Sequence, residues 1–246
     1  MSNLIRGEFY KLRKSKYLIE VMIFLTMVSS YFYVLICNSD LVKRYNYEYI
    51  NGVSYIPYAS IFIIFSSFIF SLLGGEFIAK DFKSGNMSRM FGYGYRKEQV
   101  VLSKLIVFIL FSLLLEVIYT SILVIFVSVN YSFCEGINSN KILYLFIATV
   151  IGIMYNVAAI CIIAMVAIIT KSRLCTFISG AIGLVSFRLY ESINSEVFMF
   201  IPWILGKRAM AEMNSSNIAM SLISSFIFVI ITIGVSLWHV KYKDIK

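Results

Sequence analysis

Glu116 stands in the run FSLLLEVIYT, with apolar residues on both sides. A carboxyl at such a place costs about 3 kcal/mol or more in hydrocarbon unless it is paired or wetted. It has two functional uses: lining a path for a polar part of some cargo, or serving as a switchable contact at a seam between two chains. It also has a purely structural use, as a neutral acid bonded to a neighbouring helix, with Asn156 or Thr120 as partner. Asn156, in IMYNVAAI, reads either as lining of the same path or as glue between helices.

Other chemistry lacks its parts. No G-x-x-x-x-G-K-[ST] is present, and Gly92-x-Gly94-x-x-Lys97 does not replace it, so this chain has no phosphate-cradling loop of its own. H-E-x-x-H and G-x-S-x-G are both absent, which removes the metalloprotease and serine-hydrolase readings. The one histidine, His239, falls at the end of the last hydrophobic run, where a snorkelling interfacial side chain fits. Cys37, Cys134, Cys161 and Cys175 show no metal-ligand spacing. Cys37 and Cys134 either pair on an oxidising outer face or remain two small apolar side chains. No catalytic, metal-ligating or cofactor-binding residue is expected.

The elements that carry these residues belong to a membrane. Of 246 residues, 60% are hydrophobic and 14% charged, against about a quarter charged in a soluble domain. Apolar runs long enough for helices through a bilayer core of ~30 Å cover Leu18–Cys37, Tyr58–Ile78, Val100–Val129, Ile142–Ile169 and Ile218–Trp238. A sixth, Leu174–Phe187, is held to fourteen residues by Arg173 and Arg188, and its Gly180 and Gly183 allow close packing. The runs are continuous rather than alternating, so they predict helices and not barrel strands. The expected fold is an all-α integral membrane protein with six transmembrane helices. No cleavable signal peptide is expected, because the first run follows a basic stretch and is long enough to span.

Charge gives the orientation. Fifteen Lys and Arg residues fall on the side holding both termini and six on the other. The positive-inside rule then places both termini in the cytoplasm. The net charge of +9 is a topology signal spread over short loops. No soluble surface gathers it for nucleic acid, and no nucleic-acid partner is expected.

Residues 1–17 carry Ile5, Phe9 and Leu12 on one helical face and Arg6, Tyr10, Arg13 and Lys14 on the other. This predicts an interfacial amphipathic elbow helix against membrane lipid, ahead of a six-helix domain over residues 18–246. Two roles fit it: an anchor, or an elbow that also flanks a docking site. In the longest basic-side loop, residues 79–99, Gly74-Gly75 end the second span and permit a bend. Asp81 and Lys83 then put the chain in water. Ser84 or Asn86 can cap a short helix over about Met87–Phe91, and Gly92 and Gly94 end it. Tyr95–Lys104 leads into the third span as an interfacial helix. Met87, Met90 and Phe91 give the short helix an adhesive apolar side, with Arg89 adding charge. That side either plugs a groove on another protein or dips into the lipid interface.

LIRGEFYKLRKSKYL and DFKSGNMSRMFGYGYRKEQVVLSKL resemble the N-terminus and first cytoplasmic loop of ABC-2 type transporter permeases. Asp81-Phe82, Gly85, Gly94-Tyr95-Arg96 and Ser103-Lys104 occupy that loop's motif positions. Asn86 stands where Thr is usual and Tyr95 where Ser is usual. The length resembles the small bacitracin-resistance and lantibiotic-immunity permeases. The resemblance implies that Asp81, Phe82, Gly85, Asn86, Met87, Arg89, Met90, Phe91 and Arg96 form a coupling element seated on a separate ATPase. ATP and Mg would sit on that partner, and a second permease copy or a sister permease would complete a dimer. It also implies that the segment over 190–217 holds a re-entrant outer gate, with Phe198, Phe200, Pro202 and Trp203 at its centre. Val197–Leu205 is too short to span and can enter the outer leaflet or rest on the surface.

The expectation is therefore the permease subunit of an ATP-driven exporter in a bacterial plasma membrane, as usage rich in Lys, Ile, Asn, Phe and Tyr suggests. Its cargo would be amphipathic, such as an antimicrobial peptide or antibiotic, giving resistance or immunity. The competing readings are a membrane scaffold or sensor that transports nothing, and an ion-coupled secondary transporter working through Glu116.

Overall fold

The structure is a computed structural model that describes residues 2–14, 24, 67–131, 139–193, 200–212 and 214–242. Among these residues almost every one is helical and none forms a strand. Helix α1 is Ser2–Lys14. Helix α2 covers 67–83, α-helical at first, π-helical over Gly75–Ala79 and α-helical again over Lys80–Lys83. The rest are α3 (Asn86–Gly92), α4 (Lys97–Tyr131), α5 (Ser139–Thr170), α6 (Arg173–Ile193), α7 (Pro202–Glu212) and α8 (Ser215–Tyr242).

Three helices among the described residues are long and apolar enough to cross a membrane, over Lys97–Phe126, Ile142–Thr170 and Ser215–Tyr242. They match the third, fourth and sixth expected spans. The expected first span lies outside the described residues apart from Phe24, and the second is described only from residue 67. Cys37, Cys134 and Phe198 also lie outside them.

Several sequence-based boundaries move. Gly74-Gly75 does not end the second span, since the helix runs on to Lys83 with Gly74 in ordinary helical geometry. The two glycines act through their missing side chains. A Cβ on Gly74 would lie 3.1 Å from Ile163 Cγ2, and one on Gly75 3.4 Å from Arg173 Cα, so α5 and α6 close onto α2. The stretch before the third span is no separate interfacial helix, because α4 runs unbroken from Lys97 for 35 residues. That is roughly 50 Å at 1.5 Å per residue, enough to overhang the membrane. Helix α6 passes Arg188 and reaches Ile193, longer than the fourteen residues expected.

Packing follows the small residues. Helix α8 buries Ser221, Ser225, Thr232 and Ser236 on one face, and α5 is its main neighbour. Each of the last three hydroxyls donates to its own helix backbone, which lets small polar residues line a tight interface, while Ser221 Oγ has no hydrogen-bond partner among the described residues. Gly180 of α6 meets α2, where a Cβ would fall 2.5 Å from Ser71 Oγ. The close approach expected of Gly180 is realised there.

The largest core lies at the end of the bundle that holds α1 and the end of α8, referred to below as the basic end. It joins Leu4 and Leu12 of α1, Ile69 to Phe82 of α2, Met87 of α3, Val100 to Tyr119 of α4, Ile160 to Ile168 of α5 and Val240 of α8. A second, smaller core joins Ile151 and Tyr155 of α5 to Ala209 and Met210 of α7.

Candidate functional site

The short helix of the basic-end loop forms where glycine punctuation places it. Gly85 precedes it at φ 72° and Gly94 follows it at φ 86°, a backbone region that side-chain-bearing residues avoid. Tyr93 N–H donates to the Arg89 carbonyl and Gly94 N–H to the Phe91 carbonyl, closing the helix. The expected side-chain cap is not made. Gly85 holds the cap position, and Asn86 Nδ2 instead donates to Asp81 Oδ1 at 3.0 Å. Ser84 Oγ donates to the Asp81 carbonyl at 3.4 Å.

Asp81 does not face water; it is buried at the centre of a charge cluster. Lys104 Nζ lies 2.5 Å from Asp81 Oδ2 and 2.8 Å from Glu8 Oε2. It donates to the Phe77 carbonyl at 3.2 Å, so all three ammonium donors have acceptors. Lys11 Nζ donates to Asp81 Oδ2 at 2.9 Å. Two carboxylates and two ammoniums make a neutral cluster that fastens α1, α2 and α4 together. Burial alone would raise the Asp81 carboxyl, but Lys104, Asn86 and Lys11 overcome it and hold it below its ordinary value of 3.8.

The buried face of α1 is accordingly Leu4, Glu8 and Leu12, not the expected Ile5, Phe9 and Leu12. Ile5 is only partly buried and Phe9 is 39% exposed. Glu8 can lie on the buried line because Lys104 neutralises it there.

The apolar side of α3 also departs from expectation. Met87 is 1% exposed and belongs to the core, and Met90 and Phe91 pack partly against it. A seven-residue helix is marginal alone, and these three side chains fasten it to the bundle. Phe82 is buried beside them. Arg89, Tyr93, Tyr95 and Arg96 face outward, with Tyr93 82% exposed. The loop thus presents a cationic, aromatic surface on a stiffly held helix. Sequence reasoning missed Glu8, Lys11 and Tyr93. The available signals were an acid at position 8 in line with Leu4 and Leu12, and a lone Lys104 inside an apolar run.

Glu116 and Asn156 meet. Asn156 Nδ2 donates to Glu116 Oε1 at 2.6 Å, joining α4 to α5, while Thr120 Oγ1 bonds the Glu116 backbone carbonyl instead. Glu116 Oε2 has no hydrogen-bond partner among the described residues. Asn156 and Tyr155 line a narrow cleft of about 30 Å³ with Phe70 of α2, Gly180 of α6 and Trp203 of α7.

The described part of the segment expected at the outer face, over 200–212, folds as a docked helix. Pro202 is the first residue of α7, where its missing N–H costs nothing. It is buried, Trp203 packs partly against the Tyr155 core, and Phe200 is 77% exposed. Gly206 lies flat on the Tyr155 ring, with no room for a Cβ. Of the expected gate residues, Pro202 and Trp203 are thus seated on the bundle and Phe200 projects from it.

A family model described as "ABC-2 family transporter protein" matches residues 4–187. The match covers α1, the charge cluster, the loop helix, Glu116 and Asn156, and it ends before α7. No curated protein matches the chain.

Proposed function

The chain belongs to the ABC-2 family of transporter proteins, and from that premise we propose that it is the membrane permease subunit of an ATP-driven exporter. Its ATPase is a separate chain, since no phosphate-cradling loop is present here. The observation that carries the reading is the neutral cluster of Glu8, Lys11, Asp81 and Lys104. It joins the loop bearing α3 to the start of the long helix α4. A push on α3 would therefore pass into α4 as rigid-body tilt rather than be lost in a slack loop.

The docking surface in this reading is the outward side of the loop: Arg89, Tyr93, Tyr95 and Arg96. Met87, Met90 and Phe91 hold α3 to the bundle beneath it. Both termini face the cytoplasm of a bacterial plasma membrane, and a second permease completes the transporter. The cargo is amphipathic, of the antimicrobial-peptide or antibiotic kind, because the spans are apolar with little fixed charge. Helix α7, with Phe200 exposed beside it, forms the outer gate.

The test reverses charge at Arg89 and Arg96 together and measures co-purification of the ATPase in mild detergent. Both side chains are exposed, so folding should survive, and an unchanged melting temperature verifies that. Loss of the ATPase is expected; undiminished recovery would remove the coupling role.

A further inference from the structure

Beside the loop helix, α2 and the α5–α6 turn enclose an open cavity of about 670 Å³ lined by Phe82, Lys83, Lys171, Ser172, Arg173 and Leu174. Its volume is in the range of small-molecule sites, and its charge is one-sided. Arg173 is bonded to Glu76 at 2.7 Å. Asp81 is committed to Lys104 and Lys11. Lys83 has no acidic partner among the described residues, and Lys171 rests over the Phe82 ring at 5.9 Å. The cavity is therefore a cationic pocket whose nearest carboxylates are already neutralised.

Two further observations narrow the occupant. Lys171 has φ 51°, the only positive φ on a non-glycine among the described residues. It closes α5 at a position that glycine would fill without strain. Lys171 thus lines the pocket from a position with a backbone cost. Leu174 both lines the pocket and opens an exposed apolar stripe down α6, continued by Ile178, Ile182, Val185 and Leu189. The spacing puts all five on one helical face. A cationic pocket at the membrane boundary leading into an apolar track matches a ligand with an anionic head and a hydrocarbon tail.

We propose that this pocket holds the phosphate headgroup of an anionic glycerophospholipid, with an acyl chain lying along the α6 stripe. Basic pockets between helices at such a level take anionic headgroups. Bound there, the lipid would brace the end of α2 against the α5–α6 turn. The inference requires only that the chain is embedded in a membrane. It does not depend on the ATPase or the cargo.

The test uses the full chain in neutral detergent, titrated with equal amounts of dioleoyl phosphatidylglycerol and dioleoyl phosphatidylcholine, with bound lipid read by native mass spectrometry. Phosphatidylglycerol should be retained about tenfold over phosphatidylcholine. Lys83→Gln and Lys171→Gly should each lower that preference several-fold. Lys171→Gly also relaxes the backbone, and an unchanged melting temperature in both variants separates loss of the site from misfolding. Lys241→Gln, an exposed cation on α8, should leave the preference intact. Inorganic phosphate at the lipid's concentration should not displace the lipid, because it lacks the tail. Equal retention of the two lipids, an unchanged preference in the Lys83 and Lys171 variants, or displacement by phosphate would each overturn the assignment.

Discussion

Lys104 Nζ lies 2.8 Å from Glu8 Oε2 although 96 residues separate them in the chain. Both side chains are almost wholly buried, at 1% and 2% exposure. A pair of this kind is weak evidence for added stability over an apolar pair, but breaking it from one side is costly.

Lys104→Met strands two carboxylates, Glu8 and Asp81, with Lys11 as their remaining cation. It should destabilise the protein by about 3–5 kcal/mol, read as a lower melting temperature in detergent. Adding Glu8→Gln should recover part of that loss. A single variant as stable as the parent would show that the cluster holds nothing together.

Asp81 sets a pH limit. Its folded carboxyl titrates below its ordinary value of 3.8, so its contribution is complete above roughly pH 5 and is lost as pH falls through the folded value. The part of the thermal stability that Asp81→Asn removes should be constant from neutral pH down to about 5 and shrink below about 4. Asp81→Asn should lower the neutral plateau and flatten the acid limb. Keeping the full acid limb in that variant would assign the titration to another group.

Glu116 and Asn156 separate a structural bond from a charge. Glu116→Gln keeps an acceptor for Asn156 and should leave stability near that of the parent. Asn156→Leu removes the donor and should cost about 1–2 kcal/mol. If Glu116→Gln melts normally yet abolishes transport, the carboxyl acts in the transport cycle. If transport is unchanged, its role is to join α4 and α5.

Gly180→Ala tests the contact between α2 and α6. The added methyl would sit 2.5 Å from Ser71 Oγ and 2.9 Å from the Ser67 carbonyl. Backbone offers little give, so the two helices must part, at about 1–3 kcal/mol. Gly183→Ala, whose methyl would find Ser67 Oγ at 3.7 Å, should be tolerated. Equal melting of the two variants would mean the helices do not meet at Gly180.

Local patterns told much of the fold, and their failures share a cause. Apolar run lengths located the helices that hold Glu116, Asn156 and Ser221. Gly94 was read as the turn after α3, a local demand that its positive φ meets, whereas the start was read as a Ser84 or Asn86 cap and is held by Gly85 instead. The Glu116–Asn156 bond was legible as one of two pairings, since a lone polar group in an apolar run needs a partner. Asp81 was read as a water-facing residue because its neighbours in sequence are polar; its partners lie on α1 and α4, beyond any sequence window. Glu8 went unread for the same reason, its partner Lys104 lying 96 residues away. Met87, Met90 and Phe91 were correctly grouped on one face, but an apolar face looks the same whether a partner or the chain's own core covers it. Gly74-Gly75 looked like a break because glycine serves bends and close approaches alike.

The separation of Glu8 from Lys104 also bears on how the protein is made. Helix α1 is made before α4, so at first the only cation its buried acid has is Lys11, three residues on in the same helix. Until α4 supplies Lys104, Glu8 has to stay hydrated, so α1 seats on the bundle only after a helix that is made later than itself.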